Sequence, residues 1–303
     1  MNNPTPQPTA VPRITGLLIL EVRKSNPNGD PERESSPRQR PDGKGEISPV
    51  SIKRKLRDLV ENKEGDAWVS VRPSPTPAGL EFDILEHRGR NREQIKTLMA
   101  GPGGTLADAF KNKYWDARLF GNTFLEEGGG DTIRAGVAHF GVGVSIAPIE
   151  IEFSTWTSKA GVESGKDRGM APMAFRVLKH GIFAVPFFVN PSQAHKTGCT
   201  LHDVEIMLQL LPHIYSHNPA VIRTQVYVRH AHVVRHSQPV GSFSDFTLLD
   251  KLTPKRKAEF DATKPSESAD EYQFPTWDEI KGTSPRPGRP IFEELGTYHD
   301  YAL

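Results

Sequence analysis

Three groups of residues in this sequence have the types and spacing to do chemistry. The histidines cluster as His195 and His202, His213 and His217, then His230, His232 and His236. Arg229-His230-Ala231-His232 puts two imidazoles on one face of a strand, as a metal site would. No Asp or Glu within that segment completes a ligand set, and no tautomer-fixing partner is apparent. Ordinary strand histidines explain the spacing, so no metal is expected. The second group is Asp30, in the loop Asn26-Pro27-Asn28-Gly29-Asp30-Pro31. It could act as a general base or metal ligand beside a scissile phosphate, although Asp in such a turn commonly caps its own loop. The third group is cationic: Lys53, Arg54, Lys55 and Arg57, four positive charges within five positions. A solvated charged face is the ordinary explanation. Here nearby acids to pair with them are absent until Asp58 and Glu61, so the charges repel unless something anionic lies alongside, which favours phosphate.

The elements that position these residues follow from pattern. Ile14 to Val22 is apolar on both faces and short, which predicts a central strand. It leads into the 26–31 loop, whose residues fix φ or tolerate positive φ. Ser48 then reads as a helix N-cap with Pro49 at the first helical position. Ile52, Leu56, Leu59 and Val60 form the inward stripe, with Lys53 and Arg57 on one flank and Lys55 on the other. Thr132 to Phe153 has a long β pattern, and its glycines, Gly136 among them, suggest bulges or close backbone approach. Residues 154–176 break the apolar pattern between strands and predict a hairpin arm. Met170, Met173 and Phe175 stand there beside Lys166, Arg168 and Arg176, either as a local mini-core or as apolar wedges for stacked bases. Thr200 opens a helix with Asp203 in a capping-box position. Val221 to Val234 alternates as a strand with Arg223, Gln225, Tyr227 and Arg229 outward. Strand, helix, strands, helix, strand predicts an α+β fold with a βαβ-βαβ core of the ferredoxin or RNA-recognition type.

Composition sets outer bounds. Lys and Arg number 38 against 37 Asp and Glu, so a polyanion site must come from uneven distribution. From Arg23 to Arg57 there are ten cations and five acids, and from Glu259 onward ten acids and four cations. The single cysteine, Cys199, excludes a disulfide framework and fits a reducing, cytoplasmic setting. No signal-peptide pattern and no apolar run of membrane length is present, so no membrane partner is expected. Gly128-Gly129-Gly130 and Gly141-Val142-Gly143 match no phosphate-binding fingerprint, and no cofactor is expected.

Taken together, the loop and Ser51-Ile52-Lys53-Arg54-Lys55-Leu56-Arg57-Asp58 resemble the opening signature of the CRISPR-associated backbone subunit of type I (Cascade) surveillance complexes, closest to the subtype I-C form of this RAMP superfamily. Tyr114-Trp115-Asp116-Ala117-Arg118-Leu119-Phe120-Gly121, Ile133-Arg134-Ala135-Gly136-Val137, Asp167-Arg168-Gly169-Met170 and Tyr227-Val228-Arg229-His230 resemble further family segments in the same order. Ala135-Gly136 departs from the family's usual Gly-Pro. The resemblance implies a modified RNA-recognition-motif palm at 14–250, with a helical finger insertion at 65–104 and a β-hairpin thumb at 154–176. Outside the palm it leaves a disordered N-terminus at 1–13 and an acidic, Pro-rich tail at 251–303. It implies a non-catalytic subunit that stacks head to tail with copies of itself along a guide RNA (crRNA), beside other Cascade subunits, and presents the guide to a target nucleic acid. Asn26, Asn28, Gly29, Lys53, Arg54, Arg57, Arg134, Lys166 and Arg168 would hold RNA, and Met170 and Met173 would wedge at a displaced base. The alternatives are a type III-like subunit that cleaves target RNA with Asp30, and a stand-alone single-stranded RNA-binding protein.

Overall fold

The computed structural model describes residues 10–89, 93–94, 111–121, 135–159 and 170–302, with the side chains of 154, 156–159 and 170–173 outside that description. Its frame is a large antiparallel sheet of eight strands among the described residues. The strands are β1 (Ile14–Ser25), β2 (Lys44–Ile47), β3 (Ala138–Phe140), β4 (Gly143–Pro148), β5 (Ile151–Lys159), β6 (Met170–Val189), β7 (Val226–His236) and β8 (Gly296–Asp300). Neighbours run β8-β7-β1-β6-β4-β2, and β3 and β5 also pair with β6. The apolar β1 is central as expected, with Leu18 opposite Val185 on one side and Ala231 on the other. Gly16 permits this packing: a Cβ there would lie 2.1 Å from the Phe187 ring.

Because side chains alternate across a strand, β1 feeds two cores. Ile14, Leu18, Leu20 and Val22 join the main one. Over that face lie α1 (Pro49–Glu61), α2 (Asp66–Val71), α3 (Trp115–Phe120) and α4 (Leu201–Leu210). The described part of 65–104 roots in this core, where the Trp68 and Phe82 rings are 5.8 Å apart. The predicted capping box forms: Thr200 Oγ1 accepts from the Asp203 amide, and Asp203 accepts from the Thr200 amide. Leu17 and Ile19 point to the other face, against α5 (Asp245–Leu252), Tyr272, Ile280 and Phe292.

One expectation is corrected. Val221–Arg223 is a 3-10 turn, and the strand begins at Val226. Residues 251–300, expected as an acidic tail, add Leu252, Ala269, Tyr272, Ile280 and Phe292 to the second core layer and end in β8, hydrogen-bonded along β7. Their apolar residues are irregularly spaced, so no period announces them. Among the described residues, no helix is long and apolar enough to cross a membrane.

Candidate nucleic-acid interface

The loop and α1 form one clasped unit. Ser48 caps α1, its Oγ accepting from the Ser51 amide at 3.2 Å, and Pro49 occupies the first turn. Asn28 Oδ1 accepts from the Ser48 amide at 2.7 Å, so the loop is tied to the start of the helix. Asn26 is fully buried. Its Nδ2 donates to the Ser35 carbonyl at 2.7 Å and its backbone amide to the Ile222 carbonyl at 2.7 Å. Asn26 therefore anchors the loop through its side chain and its backbone amide. Gly29 pairs with Pro37, and a Cβ on it would lie 2.9 Å from the Ser35 carbonyl oxygen. Asp30 Oδ1 accepts from the Glu32 amide at 3.2 Å, the self-capping arrangement.

The four cations of α1 meet different fates. Arg57 is buried, its Nε 2.9 Å from Asp116 Oδ2 and its Nη2 2.9 Å from Glu86 Oε2. Arg54 pairs with Asp58 at 2.6 Å and Glu61 at 3.1 Å and donates to the Glu86 carbonyl. The expectation that these charges lack acidic partners is thus corrected: the missing acids arrive from 86 and 116, which sequence proximity cannot reveal. Lys53 has no ion-pair partner among the described residues. Its Nζ lies 5.1 Å over the Phe120 ring, and burial, then the nearby Arg57 charge, lower its pKa. Lys55 is buried, donating to Ser51 Oγ at 2.8 Å, with Nζ 4.7 Å over Tyr215. Burial, then Arg223, bring its pKa down to about 7.

Arg134, Lys166 and Arg168 lie outside the described residues. Met170 and Met173 fall in β6, opposite Lys159 and Trp156 of β5, and their side chains lie outside the description. At the root of this paired arm, Phe153 is strongly exposed, with the Arg176 guanidinium 5.3 Å over its ring. Arg176 also pairs with Glu34 of the loop segment. Nothing in the local sequence marks Phe153 as exposed, because the last residue of a β pattern gives no sign of which side faces solvent.

Two charged residues of the 114–121 segment serve the interior. Asp116 accepts from the Leu85 amide at 2.7 Å and the Glu86 amide at 3.1 Å as well as from Arg57. Arg118, fully buried, pairs with Asp203 at 2.7 Å and donates to the carbonyls of Glu81, Lys111 and Asn112. Gly136 lets the following chain reach α3: a Cβ there would sit 2.2 Å from the Phe120 carbonyl carbon.

Tertiary structure also supplies the acid absent from the histidine segment. His230, His232 and Asp300 offer ligand atoms within 4.8 Å of one another, and Asp30 is not part of this group. Asp300 and one nitrogen of each ring are already hydrogen-bonded. Asp300 accepts from His230 Nδ1 at 2.8 Å and from the Ala231 and Ala302 amides, while His232 Nδ1 and Tyr298 Oη are 2.8 Å apart. The arrangement fastens β8 to β7. Burial, outweighing the Asp300 charge, pulls His232 down to about 4, so it is neutral near pH 7.

This combination, a capped basic helix clasped to a tight loop beside a long two-stranded arm, accompanies a sequence match that decides the family. Residues 12–276 match the family described as CRISPR-associated protein Cas7. The chain belongs to the Cas7 family. A CRISPR-associated protein Cas7 from Haloferax volcanii is 27% identical over 217 residues, spanning 65% of this chain and 62% of the relative. The chain thus matches a little under two thirds of that curated relative's length. A chain of a solved structure described as a CRISPR RNA-guided surveillance complex, pre-nicking, superposes with TM-score 0.47 at 18% identity, covering 75% of this chain and 77% of that one. A second, described as a CRISPR RNA-guided surveillance complex, gives TM-score 0.43 at 16% identity, covering 75% and 71%.

Proposed function

We propose that this Cas7-family chain is a crRNA-binding backbone subunit that stacks head to tail with copies of itself along the guide in a CRISPR effector complex. Membership of the Cas7 family over residues 12–276 is the observation that carries this reading. The palm reading draws on the order β7-β1-β6-β4, with α1 and α4 packed in one core on the same face, as a ferredoxin-like βαβ-βαβ core requires. The 65–104 insertion is the finger. The β5–β6 arm is the thumb, with Met170 and Met173 as base wedges and Arg134, Lys166 and Arg168 as phosphate ligands. Lys53 makes the palm-side phosphate contact, being without an ion pair among the described residues. Asn28 and Gly29 shape the loop beside it. Arg57 and Arg54 act indirectly, by holding α1 against the 85–86 and 114–118 segments. Target nucleic acid pairs with the presented guide, other Cascade subunits flank the stack, and the subunit itself is non-catalytic, with Asp30 as a turn cap.

Stacking of this kind is a heterologous interface that does not close, so copy number follows RNA length. Purified protein carries RNA, and native mass spectrometry finds several protein copies per RNA. Lys53→Glu lowers the amount of RNA that the purified protein carries, while circular dichroism shows the variant folded. RNA carried at the wild-type level in that variant, or a one-to-one complex in the wild type, overturns the reading. Regularly spaced cuts in complementary RNA with Mg²⁺, lost in Asp30→Ala, would overturn the non-catalytic assignment.

A further inference from the structure

On the flank of α1 opposite Lys53 lies a cleft of about 460 Å³, walled by α1 and residues 218–223. Lys55, Arg223, Arg54, Arg88, Asp58 and Asn218 line it. Asp58 bridges Arg54 at 2.6 Å and Arg88 at 2.7 Å, and Glu61 takes a second bond from Arg54, so these two cations are largely answered. Lys55 and Arg223 are not. Neither has an ion-pair partner among the described residues, and Arg223 Nε is buried with no hydrogen-bond partner. A buried guanidinium nitrogen without an acceptor is costly, and an anion seated in the cleft would supply one. The effect of Arg223 on Lys55, which helps depress the latter toward 7, places the two charges near one another.

A second feature adjoins the cleft. Residues 219–227 line a mainly apolar shelf that shares Pro219, Ala220 and Arg223 with it. Val221 and Tyr227 stand exposed along this shelf. Cationic donors beside an exposed aromatic ring suit a nucleotide, with phosphate on the charges and base or sugar on the ring. An acidic side chain would use the charges and leave the shelf bare.

We propose that the Lys55–Arg223 cleft is a second phosphate-binding position for a single-stranded nucleic acid, with the neighbouring nucleotide resting against Tyr227. It rests on the reading of the protein as RNA-binding, but is separate from the Lys53 position. An α-helix with side chains is about 10 Å across, too wide for one phosphate to touch both flanks.

The test uses full-length protein freed of bound nucleic acid and a fluorescein-labelled single-stranded RNA of mixed sequence, titrated by anisotropy over a range of KCl concentrations. Each lost phosphate contact lowers the slope of log affinity against log salt by about 0.7. Arg223→Gln and Lys53→Gln each lower it by about that amount, and the double variant by about twice as much. In parallel, RNA carrying 4-thiouridine crosslinks within peptide 221–227 of the wild type, and less in Tyr227→Ala. That variant alters an exposed ring, so it keeps the test open should Arg223→Gln fail to fold. A slope unchanged in folded Arg223→Gln but lowered in Lys53→Gln overturns the second position while the main reading stands. No crosslink at 221–227 overturns it as well. An Arg223→Gln variant with unchanged RNA binding but altered sedimentation identifies the cleft's ligand as a carboxylate of another copy, against the proposal. Absence of RNA binding in the wild type defeats both.

Discussion

The α1 unit and the C-terminal cover pack against opposite faces of the same sheet, and they are built on different physics. Helix α1 is assembled from near neighbours: a Ser cap, a Pro at the first turn, and an apolar stripe at helical spacing. The cover, 245–300, has helices of one or two turns, and it is held by scattered apolar anchors and buried polar pairs such as Arg256–Glu271. The difference teaches that charge density is a poor guide to where charge is available. The basic helix keeps two of its four cations in ion pairs, whereas the acidic segment spends Glu271 on tying its own turns together and Asp300 on fastening itself to the sheet.

The largest expected effect bears on the α1 side. Asp116→Ala leaves the buried Arg57 with Glu86 alone and strands two backbone amides, and should cost about 3–5 kcal/mol of unfolding free energy in urea. A loss below about 1 kcal/mol would mean that the pair is not an interior one. Next, Phe292→Ala in the cover should cost about 3 kcal/mol, because the ring is fully buried among Phe243, Trp277 and the sheet. A negligible change in the denaturation midpoint would show the cover to be loosely attached, and would break the comparison.

The third prediction concerns pH. His232 titrates near 4 in the fold against 6.5 when unperturbed. Between those values the unfolded chain binds more protons, so stability falls as pH drops from about 6.5 toward 4. The span corresponds to roughly 3 kcal/mol at most. His232→Phe should flatten this part of the stability profile in denaturation series at successive pH values, and a profile identical to wild type would detach the histidine from the β7–β8 fastening. The smallest effect is for Arg54→Gln, within about 1 kcal/mol, because its partners Asp58 and Glu61 are part-exposed and can turn to water or to Arg88 and His87. A melting shift as large as that of Asp116→Ala would place Arg54 among the interior pairs instead.

Much of the fold was legible where local chemistry repeats. The central strand, the α1 cap and the Thr200–Asp203 capping box each depend on residues within a few positions of one another, and each is where pattern put it. The site was less legible. Asn26 and Arg57 have the residue types of a nucleic-acid contact, yet both are buried and bonded internally. Residues 221–225 alternate like a strand, but Val221–Arg223 form a 3-10 turn, and the Asn26 amide takes the Ile222 carbonyl, closing the chain against the loop.

By itself, the sequence determined the elements of α1 and β1, the family, and the concentration of cations between residues 23 and 57, because each is a property of adjacent residues or of motif order. Only the tertiary structure decided which cations are free. Glu86 and Asp116 reach Arg57 across 29 and 59 positions, and Asp300 reaches His230 across 70. Ion pairing depends on distance in space and on burial, and neither is encoded in the local pattern that specifies a helix.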